Sequence, residues 1–239
     1  MPKPRDTRPY VVVNMAMTAD GKVATAGHEV TGFGSPRDLE ELYALRASAD
    51  CVMSGARTVE ENRATLGNGG DKFTKLRRKA GLAEAPLRVL VTGRASFSPE
   101  AEIWKHRFSP IIVLTTAAAP ESRKKRLARL ADHLWESPGS SVDLEAALRR
   151  LAGEFSIRRL VCEGGGELNA AMNAADLIDE FRITLTPRVF AGGDSPTIAD
   201  GKSPDHLVDA RRYRLAATKR IGDELFLRFV RNAPPKKRL

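Results

Sequence analysis

SIRRLVCEGGGELNAAMNAADLIDE, residues 156–180, sets the reading of the whole chain. It opens on an apolar run (Leu160, Val161, Cys162) and bends through Gly164, Gly165 and Gly166. It then continues as an Ala/Leu/Met-rich segment with apolar residues at helical spacing. That order predicts strand, glycine turn, helix. Glycines at such a junction let bare backbone approach a ligand, and the free N–H groups and dipole of the following helix favour an anion such as phosphate. Glu163 ends the strand just before the turn, where an open α/β sheet presents its ligand-facing residues.

The same unit recurs to either side. Residues 50–54 (DCVMS) form a short apolar run followed by Gly55 and ARTVEEN, a second strand, glycine and helix, with Thr58 one turn in. Tyr10 to Met17 reads as a buried strand broken only by Asn14, Leu87 to Thr92 as one ending at Gly93 and Arg94, and Pro110 to Thr116 as another. Between them, helices are predicted over 36–47, with Ser35 as N-cap and Pro36 first, and over 120–131 and 142–152. After residue 178, three stretches (180–187, 213–220, 224–231) alternate as strands, with Gly222-Asp223 as a hairpin turn. Strands alternating with helices, then strands alone, predict an α/β fold with a central mixed, mostly parallel sheet and an antiparallel C-terminal part. One domain is expected over 1–239, with 1–8 and 232–239 as flexible tails. Two stretches carry no element: the long loop 18–35, with Gly27, Gly32 and Gly34, and the excursion 63–86, expected to be mobile unless a ligand holds it.

Lys plus Arg (39) exceeds Asp plus Glu (30), a formal charge of +9, and aromatic residues are 6% of the chain. The positive charge is scattered over predicted helices, and few aromatics exist to stack bases. A surface attracting phosphorylated small molecules is therefore the reading, and no nucleic-acid partner is expected. With no membrane-length apolar run and no signal-like N-terminus, no membrane contact and a cytoplasmic location are expected. Cys51 and Cys162 lie in apolar strands without metal-type spacing, so free buried thiols are expected and no metal.

Spaced motifs carry a resemblance over about nine-tenths of the chain. DGK (20–22), LRASAD (45–50), SGARTVEEN (54–62), CEGGGELN (162–169), LIDEFRITLTP (177–187) and the following AGGD resemble the reductase domain of riboflavin biosynthesis. The resemblance implies a dihydrofolate-reductase-like, three-layer αβα fold, NADPH as cofactor, and a homodimer. It also implies a phosphorylated ribosylaminopyrimidine as substrate, its ribosyl imine being reduced to a ribityl chain. Carried over by motif, Ser54, Gly55, Thr58, Gly164, Gly165 and Gly166 would line the cofactor, with Arg94 on its 2′-phosphate. Asn14, Thr18 and Asn62 would face the substrate, and Lys22, Glu163 and Asp20 would polarise the reacting atoms or relay the proton. One departure stands out. Asn62 and Ala64 replace an aspartate and a proline of the family's pattern, exchanging a carboxylate for an amide that both donates and accepts, which implies a shifted substrate. The alternatives are reduction of another small heterocycle or carbonyl compound, dihydrofolate or a pterin among them, or a nucleotide- or nucleic-acid-binding module without chemistry.

Overall fold

The structure, a computed structural model, describes residues 8–29 and 33–232. Residues 1–7 and 233–239, which hold nearly all of the two predicted tails, and 30–32, with Gly32 of the long loop, lie outside the described residues. In chain order the elements are β1 (Tyr10–Met17), α1 (Pro36–Ala47), β2 (Cys51–Gly55), α2 (Ala56–Glu61), α3 (Asp71–Lys79), β3 (Leu87–Val91), β4 (Ile111–Thr116), α4 (Glu121–Ala128), β5 (His133–Ser137), α5 (Leu144–Phe155), β6 (Arg159–Cys162), α6 (Gly166–Ala174), β7 (Glu180–Leu185), β8 (Tyr213–Ile221) and β9 (Glu224–Arg231). All strands join one nine-stranded sheet in the order β5-β4-β3-β2-β6-β1-β7-β9-β8.

The run from β5 to β7 is parallel throughout, and only β9 and β8 run against it. Parallel strands covered on both faces read as continuous apolar runs, which is why β1, β2, β3 and β4 were so legible. Their period of two divides them between layers. Val11, Val13, Met53 and Cys162 point toward α5 and α6, meeting Leu148, Leu151 and Met172. Val52, Leu90 and Val113 point the other way onto Val59 of α2 and Leu127 of α4, while Val12 and Val161 meet Leu45 of α1. Each fully buried side chain of this size contributes about 1.5–3 kcal/mol, so the two faces together fix the register of the sheet. Burial also pushes both free thiols up, Cys162 to about 12, which leaves them unreactive near neutrality.

Three expectations change. The excursion 63–86 contains α3, whose inward face is only Phe73 and Arg77. Phe73 stacks on Tyr43 of α1, and the buried Arg77 guanidinium donates to the carbonyls of Arg46 (2.7 Å), Ala49 (2.6 Å) and Ala83 (2.6 Å). A helix whose inner face is one aromatic and one arginine shows no apolar period. The edge strand β5 carries no strand-like apolar alternation, because only Trp135 of HLWES is buried. Finally, β7 is parallel to β1 and only its pairing with β9 is antiparallel.

Candidate active site

The glycine turn between β6 and α6 is tied to the β2–α2 junction. Ser54 Oγ donates to the Gly164 carbonyl (3.0 Å), the Gly55 N–H donates to the same oxygen (2.7 Å), and the Gly165 N–H donates to Thr58 Oγ1 (3.0 Å). Gly164 sits at φ +73°, and a Cβ there would lie 2.8 Å from the Met15 sulfur. A Cβ on Gly165 would lie 2.8 Å from Thr58 Oγ1, and one on Gly166 would strike the Asp200 carboxylate and the Thr197 carbonyl. Both helices that start here, α2 after Gly55 and α6 after Gly165, lack a side-chain cap. Their first N–H groups are thus left for a ligand.

These junctions border a cleft of about 1190 Å³ at the C-terminal edge of the parallel strands. Its first end is lined by Ser54, Gly55, Thr58, Gly165, Gly166 and Glu167, and by Gly93 and Arg94 after β3. Arg94 is exposed and has no ion-pair partner among the described residues, whereas Arg57 on the same rim pairs loosely with Glu167 at 3.6 Å. A bare glycine surface between two uncapped helix starts, rimmed by cationic side chains, fits a pyrophosphate-bearing nucleotide.

The second end is built on α1. Asp38, Leu42 and Arg46, four residues apart, form one stripe of the helix and all line the cleft, as do Asn14 of β1, Glu61 and Asn62. Arg46 and Glu163 make a two-pronged ion pair (Nε–Oε1 2.6 Å, NH2–Oε2 2.6 Å), with side chains only 8% and 11% exposed. Burial alone would lower the Arg46 pKa, but the Glu163 carboxylate outweighs it and holds the guanidinium above its ordinary value. The third Arg46 nitrogen donates to the Gly67 carbonyl at 2.6 Å. Arg88, wholly buried and lowered by burial to about 10, donates to the carbonyls of Thr65 (3.3 Å) and Ser109 (2.5 Å) and lies over the Phe108 ring. Two buried guanidinium groups therefore pin the segment that carries Ala64 and Leu66 into the cleft wall.

Of the residues singled out from the sequence, Asn14, Ser54, Gly55, Thr58, Asn62, Arg94, Glu163, Gly165 and Gly166 line this cleft, and Gly164 supplies the carbonyl beneath it. Asn62 donates one amide hydrogen to the Thr58 carbonyl at 2.8 Å, which leaves its oxygen and its second N–H. Thr18, Asp20 and Lys22 are not brought to the cleft wall. Thr18 is buried; its hydroxyl donates to Asp20 Oδ1 (2.5 Å) and accepts from the Lys22 N–H (2.9 Å). The Asp20 carboxylate also accepts from the N–H groups of Phe190 (3.2 Å) and Ala191 (2.8 Å), and with Thr18 foremost these bonds hold it below the usual range. Lys22 Nζ donates to the Ser195 carbonyl at 3.3 Å. An Asp-Gly turn with its carboxylate filled by local donors is a loop clamp. Sequence reading missed Asp38, Arg46 and Arg57. Arg46 and Arg57 lie inside the motifs LRASAD and SGARTVEEN, and Asp38, Leu42 and Arg46 share a four-residue spacing, but only the cleft gives these signals meaning.

A cleft across a glycine-linked pair of strand–helix junctions, at the C-terminal edge of a parallel sheet, is where open α/β domains bind their ligands. The profile of the RibD C-terminal domain family matches residues 9–227, and the chain belongs to that family. It is similar to the 2,5-diamino-6-ribosylamino-4(3H)-pyrimidinone 5′-phosphate reductase of Methanothermobacter thermautotrophicus, 33% identical over 225 residues, or 93% of this chain and 98% of that protein. The protein of the same name from Archaeoglobus fulgidus is 32% identical, covering 90% of this chain and 95% of that one. In fold it matches a pyrimidine reductase-like protein from Corynebacterium diphtheriae (TM-score 0.78, 19% identity, 98% of this chain and 96% of that one). It also matches Acinetobacter baumannii RibD (TM-score 0.77, 20% identity, 95% of this chain and 59% of that one).

Proposed function

We propose that this protein is an NADPH-dependent reductase of a phosphorylated ribosylaminopyrimidine, the 2,5-diamino-6-ribosylamino-4(3H)-pyrimidinone 5′-phosphate class named for its relatives. The observation that carries the reading is the two-ended cleft. One end is a glycine cradle between uncapped helix starts, and the other is a polar pocket holding Asn14, Asn62 and the Arg46–Glu163 pair. When bound, the reduced nicotinamide supplies a hydride. The chain's part is to align, to hold charge and to exclude water. Gly164, Gly165 and Gly166 with Ser54, Gly55 and Thr58 hold the pyrophosphate region, and Arg94 takes the 2′-phosphate. Asn14, Asn62 and the Glu163 end of the ion pair position the pyrimidine. Thr18, Asp20 and Lys22 buttress the loops behind it.

The amide at Asn62 keeps the acceptor role that a carboxylate would have there and adds a donor. One of its N–H groups is bonded to the Thr58 carbonyl, which leaves its oxygen as an acceptor and its second N–H as a donor. We also take the protein to be a homodimer. Ile183, Leu185, Leu225 and Leu227 share one face of β7 and β9 and are only half-buried, with Leu215 beside them on β8 51% exposed. Such a face suits a twofold partner. Light scattering at micromolar concentration giving a monomer mass would refute the dimer. The reading as a whole is tested by titrating NADPH and NADH into the protein and following nicotinamide oxidation with the ribosylaminopyrimidine phosphate and with dihydrofolate. No NADPH binding overturns the cofactor. Binding without turnover of the pyrimidine overturns the substrate, as does preferential turnover of dihydrofolate.

A further inference from the structure

Reducing a C=N bond takes a hydride and a proton, and most carboxyl groups around the cleft are already committed. Both oxygens of Glu163 are held by Arg46, those of Asp200 accept from the N–H and hydroxyl of Thr197, Glu61 faces His28 at 3.7 Å, and Glu167 faces Arg57. Asp38 is different. It lines the cleft from the first turn of α1, half-buried, and has no ion-pair partner among the described residues. Its neighbours are placed to leave that carboxyl room without neutralising it. Ser35 caps the helix, accepting from the Arg37 and Asp38 N–H groups, and is itself anchored through its N–H (3.0 Å) and hydroxyl (2.5 Å) to Glu224 of β9. Residue 34 is glycine, and a Cβ there would collide with the Asp38 carboxylate.

A carboxylate in a first helical turn is normally favoured as the anion. Here burial dominates and pushes the Asp38 carboxyl up, and a hydrogen bond from Thr184 of β7 only partly opposes it. The charged groups facing it are Glu224 on β9 and Glu41 on α1, both negative, and they push the same way. Arg37 is turned to Glu40 and Glu41 instead. A substrate covering the cleft removes the remaining water and raises the carboxyl further.

We propose that the Asp38 carboxyl delivers the proton that completes the reduction. This rests on the reductase reading above. The hydride, drawn from the reduced nicotinamide, adds at the carbon of the substrate's C=N bond. The π pair moves onto nitrogen, which takes the proton from Asp38 Oδ; one C–H and one N–H bond form as the π bond is lost. The carboxylate regains a proton from water before the next turnover.

The test compares wild type, Asp38→Asn and Asp38→Glu in three measurements: NADPH affinity by fluorescence, kcat and KM against pH, and carboxyl titration by ¹³C NMR with Asp38→Asn assigning the signal. A positioned general acid contributes roughly 10²- to 10⁴-fold. Asp38→Asn is therefore expected to lose at least about 100-fold in kcat with NADPH affinity unchanged, and Asp38→Glu to recover part of it. Wild-type kcat falls as pH rises through the Asp38 pKa, and that limb is absent in Asp38→Asn. The Asp38 signal titrates above the ordinary aspartate value. Near-wild-type kcat in Asp38→Asn, an unchanged pH profile, or a signal at or below the ordinary value overturns the proposal. Absent NADPH binding or absent wild-type turnover defeats the reductase reading instead, and the NMR titration still judges Asp38 in that case.

Discussion

Replacing Arg46 with methionine keeps the length of the side chain and removes the charge that faces Glu163. Both partners are about nine-tenths buried, and both oxygens of Glu163 are satisfied by this one guanidinium. Removing one member of a buried pair leaves the other without compensation, at a cost of about 3–5 kcal/mol. The Gly67 carbonyl loses its donor as well, so the upper part of that range is expected. With a urea slope of roughly 3 kcal/mol/M, the unfolding midpoint drops by about 1–1.7 M. The decisive comparison is Arg46→Met combined with Glu163→Met, which exchanges the pair for two apolar side chains and recovers most of the loss, since a buried ion pair is often no better than packed hydrocarbon. Urea unfolding followed by far-UV circular dichroism and intrinsic fluorescence measures all three variants. A single variant within about 1 kcal/mol of wild type, or a double variant as unstable as the sum of the singles, would refute the view of this pair as mutually dependent.

Arg94→Ala should cut the preference for NADPH over NADH by about tenfold, or 1.4 kcal/mol, in a fluorescence titration with both nucleotides; an unchanged ratio means that another group reads the 2′-phosphate. Gly165→Ala places a methyl 2.8 Å from Thr58 Oγ1, breaks the fit between the two glycine junctions, and is expected to weaken nucleotide binding at least tenfold while Thr58→Ser does not. Glu180 is buried beneath Arg228, Arg182 and Tyr10. Burial would raise its pKa, but their hydrogen bonds hold it at about 2 against an ordinary 4.5. A depressed carboxyl stabilises above its unfolded pKa and loses that contribution as pH falls through the folded one. The advantage of wild type over Glu180→Gln, at most about 3 kcal/mol, should therefore shrink between pH 4.5 and 2 in denaturant midpoints; a gap that holds constant over that range would contradict it.

The buried strands were legible because a parallel sheet covered on both faces writes itself as unbroken Val, Ile and Leu. The two glycine junctions were legible because nothing else bends strand into helix so tightly. The invisible parts share a cause. The inner face of α3 is held by Arg77 through carbonyls, β5 has one buried side chain, and Asp38 gains its meaning from Gly34, Thr184 and Glu224, which come from the preceding loop and two C-terminal strands. Asp20 shows the converse. Its place in a motif suggested chemistry, but the backbone of Phe190 and Ala191, some 170 residues on, occupies its oxygens.

The cradle itself is stitched across the chain: Ser54 and Gly164 are 110 residues apart, and Thr58 and Gly165 are 107 apart. No fragment ending before residue 164 contains both halves of it. During synthesis a nucleotide bound as proposed would therefore have nothing to bind until most of the sheet has closed, and contacts of such long range are slow to form. Once closed, a ligand at 100 times its Kd adds about 2.7 kcal/mol to the folded state as a whole. On the proposed reading, a chain supplied with nucleotide would therefore spend less time unfolded and open to proteolysis than one without it.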